Sequence, residues 1–377
     1  MALPAFNRRQ FSIVTGAALV AGLHPARAQD DRIVLGQSAA FTGPAAQLGI
    51  QFHAGAKLAF DQINAQGGVG GRRIEIRQLD DGYEPDRCAA NTQRLIGDDV
   101  FALFGYIGTP TSVAALPLAT KARMPFIAPF TGAMALRDPF NRIAFHVRAS
   151  YNDETALIVK QLTNLGLKKI AVFYQNDAYG KAGLDGVMLA LTALNLKPVA
   201  QATVERNSVD VAAAVATINA AAPDAVVQIS AYKSCAAYIR AARKAGYGGT
   251  FYNVSFVGTQ ALADELGKDG AGVVVSQVVP SPYNPARPIA REFVEATKKA
   301  GNVQPNFSSM EGYLAAKVFA EGLRRGGKAN RESLISGLES INDQSFGGFA
   351  VTFTPSNHVA SKFVELSMLT GDGRVRT

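Results

Sequence analysis

AFDQINAQGGVGGRRIEIRQLDD, residues 59–81, changes period within one short span. Upstream and into it, Phe52, Ala56, Ala59, Phe60 and Ile63 recur at helical spacing, so Leu48 to Gln66 reads as an amphipathic helix. GGVGG (67–71) ends that helix and turns the chain. RRIEIRQLDD (72–81) then alternates apolar and polar residues and reads as a strand. With a buried strand at Arg32 to Ser38, the order is strand, helix, strand, the crossover unit of a parallel sheet.

The same rhythm continues outward. Pro85 opens a helix, FALFG (101–105) is a short core strand, and Thr109-Pro110 starts another helix with proline where its missing N–H costs nothing. PFIAPF (125–130) and IAFHVR (143–148) read as strands. Beyond them KKIAVFY, PVAQATV, DAVVQIS and TFYNVS alternate with helices at Tyr179 to Asn195, Val209 to Ala222 and Lys233 to Ala245. Two such runs predict an α/β chain of two doubly wound parallel-sheet lobes. Late helices at Pro288 to Ala300, Phe307 to Arg325 and Arg331 to Leu338 leave enough chain to return to the first lobe. No Pro-, Gly- or Ser-rich linker separates the runs, so several short crossings are expected. A length of 377 residues already exceeds what one compact core carries.

Composition narrows the function. With 48% hydrophobic and 18% charged residues the chain can fill a core. The formal net charge is +8, but Arg8, Arg9 and Arg27 fall in a leader without acids, and the other basic residues are scattered among Asp and Glu. Nucleic-acid binding, which favours basic stripes, is not expected. The leader runs from Arg8-Arg9-Gln10-Phe11 through an uncharged stretch, Ser12 to Leu23, to Ala26-Arg27-Ala28. That describes a secretory signal cleaved after Ala28, so the protein is expected in the periplasm. RRQF also fits a twin-arginine signal; an ordinary secretory leader with two incidental arginines is the alternative. Cys88 and Cys235 read as small buried residues on helices, although the compartment would permit a disulfide.

Enzyme signatures are missing. After the first strand Gly36, Gly43 and Gly49 are too widely spaced for a dinucleotide loop, and neither a Walker motif nor a G-x-S-x-G elbow occurs. His53, His146 and His358 have no partner at zinc spacing and read as surface or core-edge residues. Asp80-Asp81 suits turn formation and capping better than acid–base work. No cofactor or metal is expected. Open parallel sheets bind ligands outside the carboxyl ends of their strands, and two such edges facing each other make a cleft.

A set of segments in fixed order carries a resemblance. FTGPAAQLG (41–49), the helix–turn–strand of 59–81, LFGYIGTPTSVA (103–114), FIAPFTGAMALRD (126–138), FHVRASYNDE (145–154) and YQNDAYGKAGL (174–184) resemble the branched-chain amino-acid (Leu/Ile/Val) binding family, the type I periplasmic solute-binding proteins of ABC transporters. The resemblance spans nearly the whole chain after the leader. It implies two lobes, 31–148 with 280–360 and 149–279 with 361–377, joined by a three-crossing hinge that closes on a ligand. It also implies an ABC permease as partner and a monomer, with a signalling or chemotaxis co-receptor as the rival reading.

The family's ligand contacts map onto Thr109, Thr131 and Gly132 in the first lobe and onto Tyr151, Tyr179, Tyr232 and Ser255 beyond it. Thr109 can instead cap its helix, Thr131 and Gly132 can merely form a turn, and the tyrosines can pack in a core. Arg148 suits a ligand carboxylate or a hinge ion pair. Ser255 stands where amino-acid binders of the family place an acid for the ligand's ammonium. Leu48 replaces a tyrosine of the leucine binder, and Tyr83 and Gly108 occupy the places of its disulfide. The resemblance therefore implies the fold and a small carboxylate-bearing ligand, either an amino acid or an aromatic or short-chain acid or amide.

Overall fold

The computed structural model describes residues 32–377. The secretory-leader reading of residues 1–28 lies outside them. β1 (Arg32–Ala39), α1 (Ala46–Ala65), β2 (Arg73–Asp80), α2 (Pro85–Gly97), β3 (Ala102–Phe104), α3 (Thr109–Lys121), β4 (Phe126–Ile127) and β5 (Ala144–Phe145) follow the alternation read from the sequence. The five strands form one parallel sheet in the order β2-β1-β3-β4-β5. β4 keeps only two residues because Pro125 and Pro129 flank it and cannot donate to a ladder.

α4 (Tyr151–Asn164) opens the second run, followed by β6 (Ile170–Gln175), α5 (Ala178–Thr192), β7 (Ala200–Val204), α6 (Ala212–Ala220), β8 (Ala225–Ile229), α7 (Tyr232–Lys244), β9 (Thr250–Asn253), α8 (Thr259–Leu266) and β10 (Val274–Gln277). The chain then makes α9 (Pro288–Ala300), α10 (Phe307–Gly326), α11 (Arg331–Glu339), the hairpin β11 (Gln344–Phe346) and β12 (Phe349–Val351), and finally β13 (Glu365–Leu369) and β14 (Val375–Arg376). The second sheet runs β14-β13-β10-β9-β8-β6-β7, parallel except at its β13 and β14 edge. α10 packs along α1, so the late helices do return to the first sheet. The chain passes between the sheets after β5, after β10 and before β13.

α4 starts with a capping box in which Ser150 and Asp153 satisfy each other's backbone N–H groups. This fixes the first crossing just where Arg148 leaves β5. Cys88 and Cys235 are free and buried, on α2 and α7. His146 and His358 are core residues rather than core-edge ones: His146 bonds the Leu136 carbonyl, and His358 stacks on Phe145. Burial holds the His358 imidazole down at about 4, so it stays neutral at ordinary pH.

Asp80 and Asp81 tie loops, as read. Asp80 accepts from Phe41 N, Thr42 N and Oγ1, and Gly82 N. Partial burial works against its ionisation, but these bonds outweigh it and bring the group to about 2. Asp81 accepts from Ser38 and Tyr83 N, and burial pushes it up to about 6. Among the described residues no group of His, Cys, Asp or Glu could hold a metal, and no helix is long and apolar enough to cross a membrane.

Candidate functional site

The carboxyl ends of the two sheets face each other, and the turns after their strands meet. From the first sheet come the loops after β2, β3 and β4; from the second come those after β6, β7, β8 and β9. Hydrogen bonds span the gap. Gln175 donates to the Tyr83 hydroxyl at 3.2 Å, and Gln47 N donates to the Tyr232 hydroxyl at 3.5 Å. Arg206 pairs with Glu84 at 2.7 Å, and Asn207 donates to Glu84 at 2.8 Å and to the Gly82 carbonyl at 3.1 Å. The lobes are closed on each other.

Thr109 is the first residue of α3, whose cap is Gly108, so its hydroxyl does not cap the helix. It meets Thr131 Oγ1 at 2.6 Å, and Thr131 in turn accepts from Ala133 N. Gly132 accepts from Tyr151 N, and a Cβ there would lie 2.6 Å from the Tyr151 ring. A side chain at 132 would push Tyr151 away. Tyr151 and Tyr179 pack with ring centroids 5.4 Å apart, both fully buried. Neither hydroxyl makes a well-formed hydrogen bond. Burial pushes the Tyr151 phenol up to about 12 and raises the Tyr179 phenol well above its ordinary value, so both stay protonated.

Arg148 lies at the centre, 1% exposed. It reaches Glu154 at 3.7 Å and Glu311 at 3.5 Å, and its guanidinium stands 4.7 Å over the Phe130 ring. Burial opposes its charge, but the two carboxylates outweigh burial and raise its pKa. Its Nη1 has no hydrogen-bond partner. Ser255 accepts from Arg148 Nη2, and its N–H and hydroxyl both go to Glu154, at 2.7 and 3.0 Å. Ser276 adds a third bond to Glu154 at 2.6 Å. Ser255 is thus a link between the arginine and its acid, and the hinge ion pair weighed for Arg148 is present.

The structure brings Thr109, Thr131, Gly132, Tyr151 and Tyr179 together around Arg148. Tyr232 sits apart from them, at the start of α7 against α1. Several residues at this place escaped the sequence reading. Phe256 packs its ring 4.5 Å from Tyr179, 5.7 Å from Phe130 and 5.8 Å from Tyr83. Glu154 and Glu311 hold Arg148, and Gln175 has a buried oxygen without a partner. The Tyr83 ring lies against Gly108, whose φ of +96° and lack of a Cβ admit it, so an aromatic contact stands at the two positions that the resemblance matched to the leucine binder's disulfide.

With this geometry in view, the comparisons agree. The sequence profile described as periplasmic binding protein matches residues 32–373. A Leu/Ile/Val-binding protein homologue of Brucella melitensis is 28% identical over 329 residues, 82% of this chain and 80% of that protein. The solved structure of a possible leucine/isoleucine/valine-binding protein from Rhodopirellula baltica is 33% identical with a TM-score of 0.86, covering 92% of this chain and 96% of that one. A substrate-binding periplasmic protein from Ralstonia solanacearum is 31% identical with a TM-score of 0.86, covering 91% and 99%. The chain belongs to the periplasmic binding protein family, with the type I fold and the Leu/Ile/Val-binding proteins among its relatives.

Proposed function

We propose that this protein is the periplasmic substrate-binding component of an ABC importer, a monomer that captures a small carboxylate-bearing ligand and catalyses nothing. In this reading 31–148 with 280–360 close against 149–279 with 361–377. The observation that carries it is one meeting point of buried groups between the lobes. The Thr109–Thr131 pair comes from the first sheet, Tyr151 and Tyr179 from the second run, and Arg148 from the crossing between them. A ligand that touches both faces binds the closed form better than the open one, and a permease can read that shape. Thr109, Thr131 and the Gly132 backbone serve one side and Tyr151 and Tyr179 the other, with Ser255 acting through the Arg148 it holds, while Tyr232 serves closure through its bond to α1. The leader of residues 1–28 supports export.

The names of the relatives favour an amino acid, whereas the neutral Ser255 favours an acid or amide without an ammonium. A thermal-shift screen against amino acids and aromatic or short-chain carboxylates tests the reading. A ligand at 100 times its Kd adds about 2.7 kcal/mol, and the chain has no Trp for a fluorescence titration. Stabilisation by one such ligand, recovered chemically intact, is the expected result. A silent screen, or a ligand converted on standing, would sink the proposal.

A further inference from the structure

Within the solute-binding reading, several of the bonds between the lobes form one closed ring rather than separate clamps. Gln175, at the end of β6 and fully buried, stands on its inner side. Both hydrogens of its amide nitrogen are used: one goes to the Tyr83 hydroxyl at 3.2 Å, the other to Asp177 Oδ2 at 2.6 Å. The Asp177 carboxylate only accepts, which holds the amide with its nitrogen inward to the ring and leaves the Gln175 oxygen without a partner. Asp177 Oδ2 also accepts from Arg206 Nη1 at 3.4 Å, and Arg206 Nη2 reaches Glu84 Oε2 at 2.7 Å. Glu84 follows Tyr83 in the chain, so the ring closes through their shared backbone.

The two turns that meet here are both left-handed. Tyr83 has a φ of +65° and Asn207, across from it, a φ of +61°. A bulky residue in that region is strained and persists only where its surroundings hold it. Asp81 Oδ1 accepts from Tyr83 N at 2.8 Å, and the Asp81 carbonyl accepts from Glu84 N at 3.0 Å. From the other lobe, Asn207 donates to the Gly82 carbonyl and to Glu84. The ring also touches the proposed ligand face, because Asp177 caps α5 and accepts from Tyr179 N at 2.9 Å. Ordering the 82–84 turn for one cross-lobe bond orders it for the next, so the bonds of this network support each other. We infer that Gln175 is a positioning residue that makes the buried Tyr83 bond and the outer Arg206–Glu84 pair form and break as one unit, and that this unit keeps part of the ligand-free population closed.

Pulsed electron-spin distances on the purified protein test this without any ligand. Spin labels at Ala90→Cys on α2 and Asp185→Cys on α5, both exposed positions, read the closed-to-open ratio, while the buried Cys88 and Cys235 stay unlabelled. The ratio is measured for Tyr83→Phe, Arg206→Ala and the double variant. Each single change should lower it about 2- to 10-fold, the worth of one hydrogen bond or half-exposed pair. The double variant should lose at least about threefold less than the product of the two single losses. Repeating the cycle in Gln175→Met should abolish that coupling. The effect of one substitution by itself cancels from the coupling, so a merely structural role does not mimic it. Should Arg206→Ala fail to fold, Glu84→Gln takes its place in the cycle. Single losses that simply multiply, a coupling that survives Gln175→Met, or a ligand-free protein with no closed population overturns the inference. If leucine or benzoate then still brings the labels together, the transport reading stands. If one distance persists in every variant and with every ligand of the thermal-shift screen, both fall.

Discussion

Replacing Glu84 with alanine should loosen the closed form without harming either lobe. Glu84 is the cap residue of α2, but its side chain makes no capping bond, so the helix loses nothing. What it does make is the cross-lobe clamp. It pairs with Arg206 at 2.7 Å, with side chains 23% and 41% exposed, and accepts from Asn207 at 2.8 Å. A half-exposed ion pair is worth about 0.2–1 kcal/mol. One hydrogen bond adds about 0.5–1.5 kcal/mol. Together they amount to about 1–2 kcal/mol of closed-state stability, which corresponds to a roughly 5- to 30-fold weaker apparent affinity. Calorimetry with the best ligand from the thermal-shift screen, at low and high salt, measures it. The wild-type affinity should fall toward that of Glu84→Ala as salt screens the pair, while ligand preference stays the same. An unchanged affinity in Glu84→Ala would show that the clamp adds nothing to closure. A changed ligand preference would mean that the residue acts on the site itself.

Glu311 gives a pH test. Its folded pKa, raised to about 7 by burial, lies above the ordinary 4.5, so the folded state keeps a proton that the unfolded chain releases. Its contribution to stability therefore falls as pH rises from 4.5 to 7. Relative to Glu311→Gln, the wild-type Tm should drop across that window; parallel Tm curves would refute the assignment. Gly258 has a φ of +79°, and a Cβ there would lie 2.4 Å from Leu48 Cδ2 on α1. Gly258→Ala should weaken ligand binding about tenfold or more by wedging the lobes, and adding Leu48→Ala should restore part of it; no rescue would locate the damage in the backbone instead. Cys88 and Cys235 are free and buried, so iodoacetamide should label neither until the protein is unfolded, and then both. Mass spectrometry showing a disulfide would contradict the structure.

The alternation of β1 through β9 with α1 to α3 and α5 to α7 was legible because each segment carries its own period and punctuation, whereas α4 (Tyr151–Asn164) was not read as a helix. β13 was not, since ELSML alternates weakly, runs antiparallel and follows no crossover helix. The hydroxyl pair Thr109–Thr131 was readable from two strand-to-helix turns. The charge cluster was not: Arg148, Glu154 and Glu311 meet only because α10 returns across the fold. Phe256 follows Ser255 by one residue, and nothing local distinguishes its ring from any other core phenylalanine. Tyr83 was visible only as a missing cysteine, whereas the Gly108 that makes room for it explains the replacement.

Closure on a ligand is the claim on which the rest depends, and small-angle X-ray scattering with and without a ligand from the thermal-shift screen tests it most directly. A compact closed chain of this size has a radius of gyration of about 20 Å. The account predicts a larger radius for the ligand-free protein and a fall toward that value on saturation, with Glu84→Ala needing more ligand to reach it. A radius that stays constant through saturation, with the ligand bound, would contradict it.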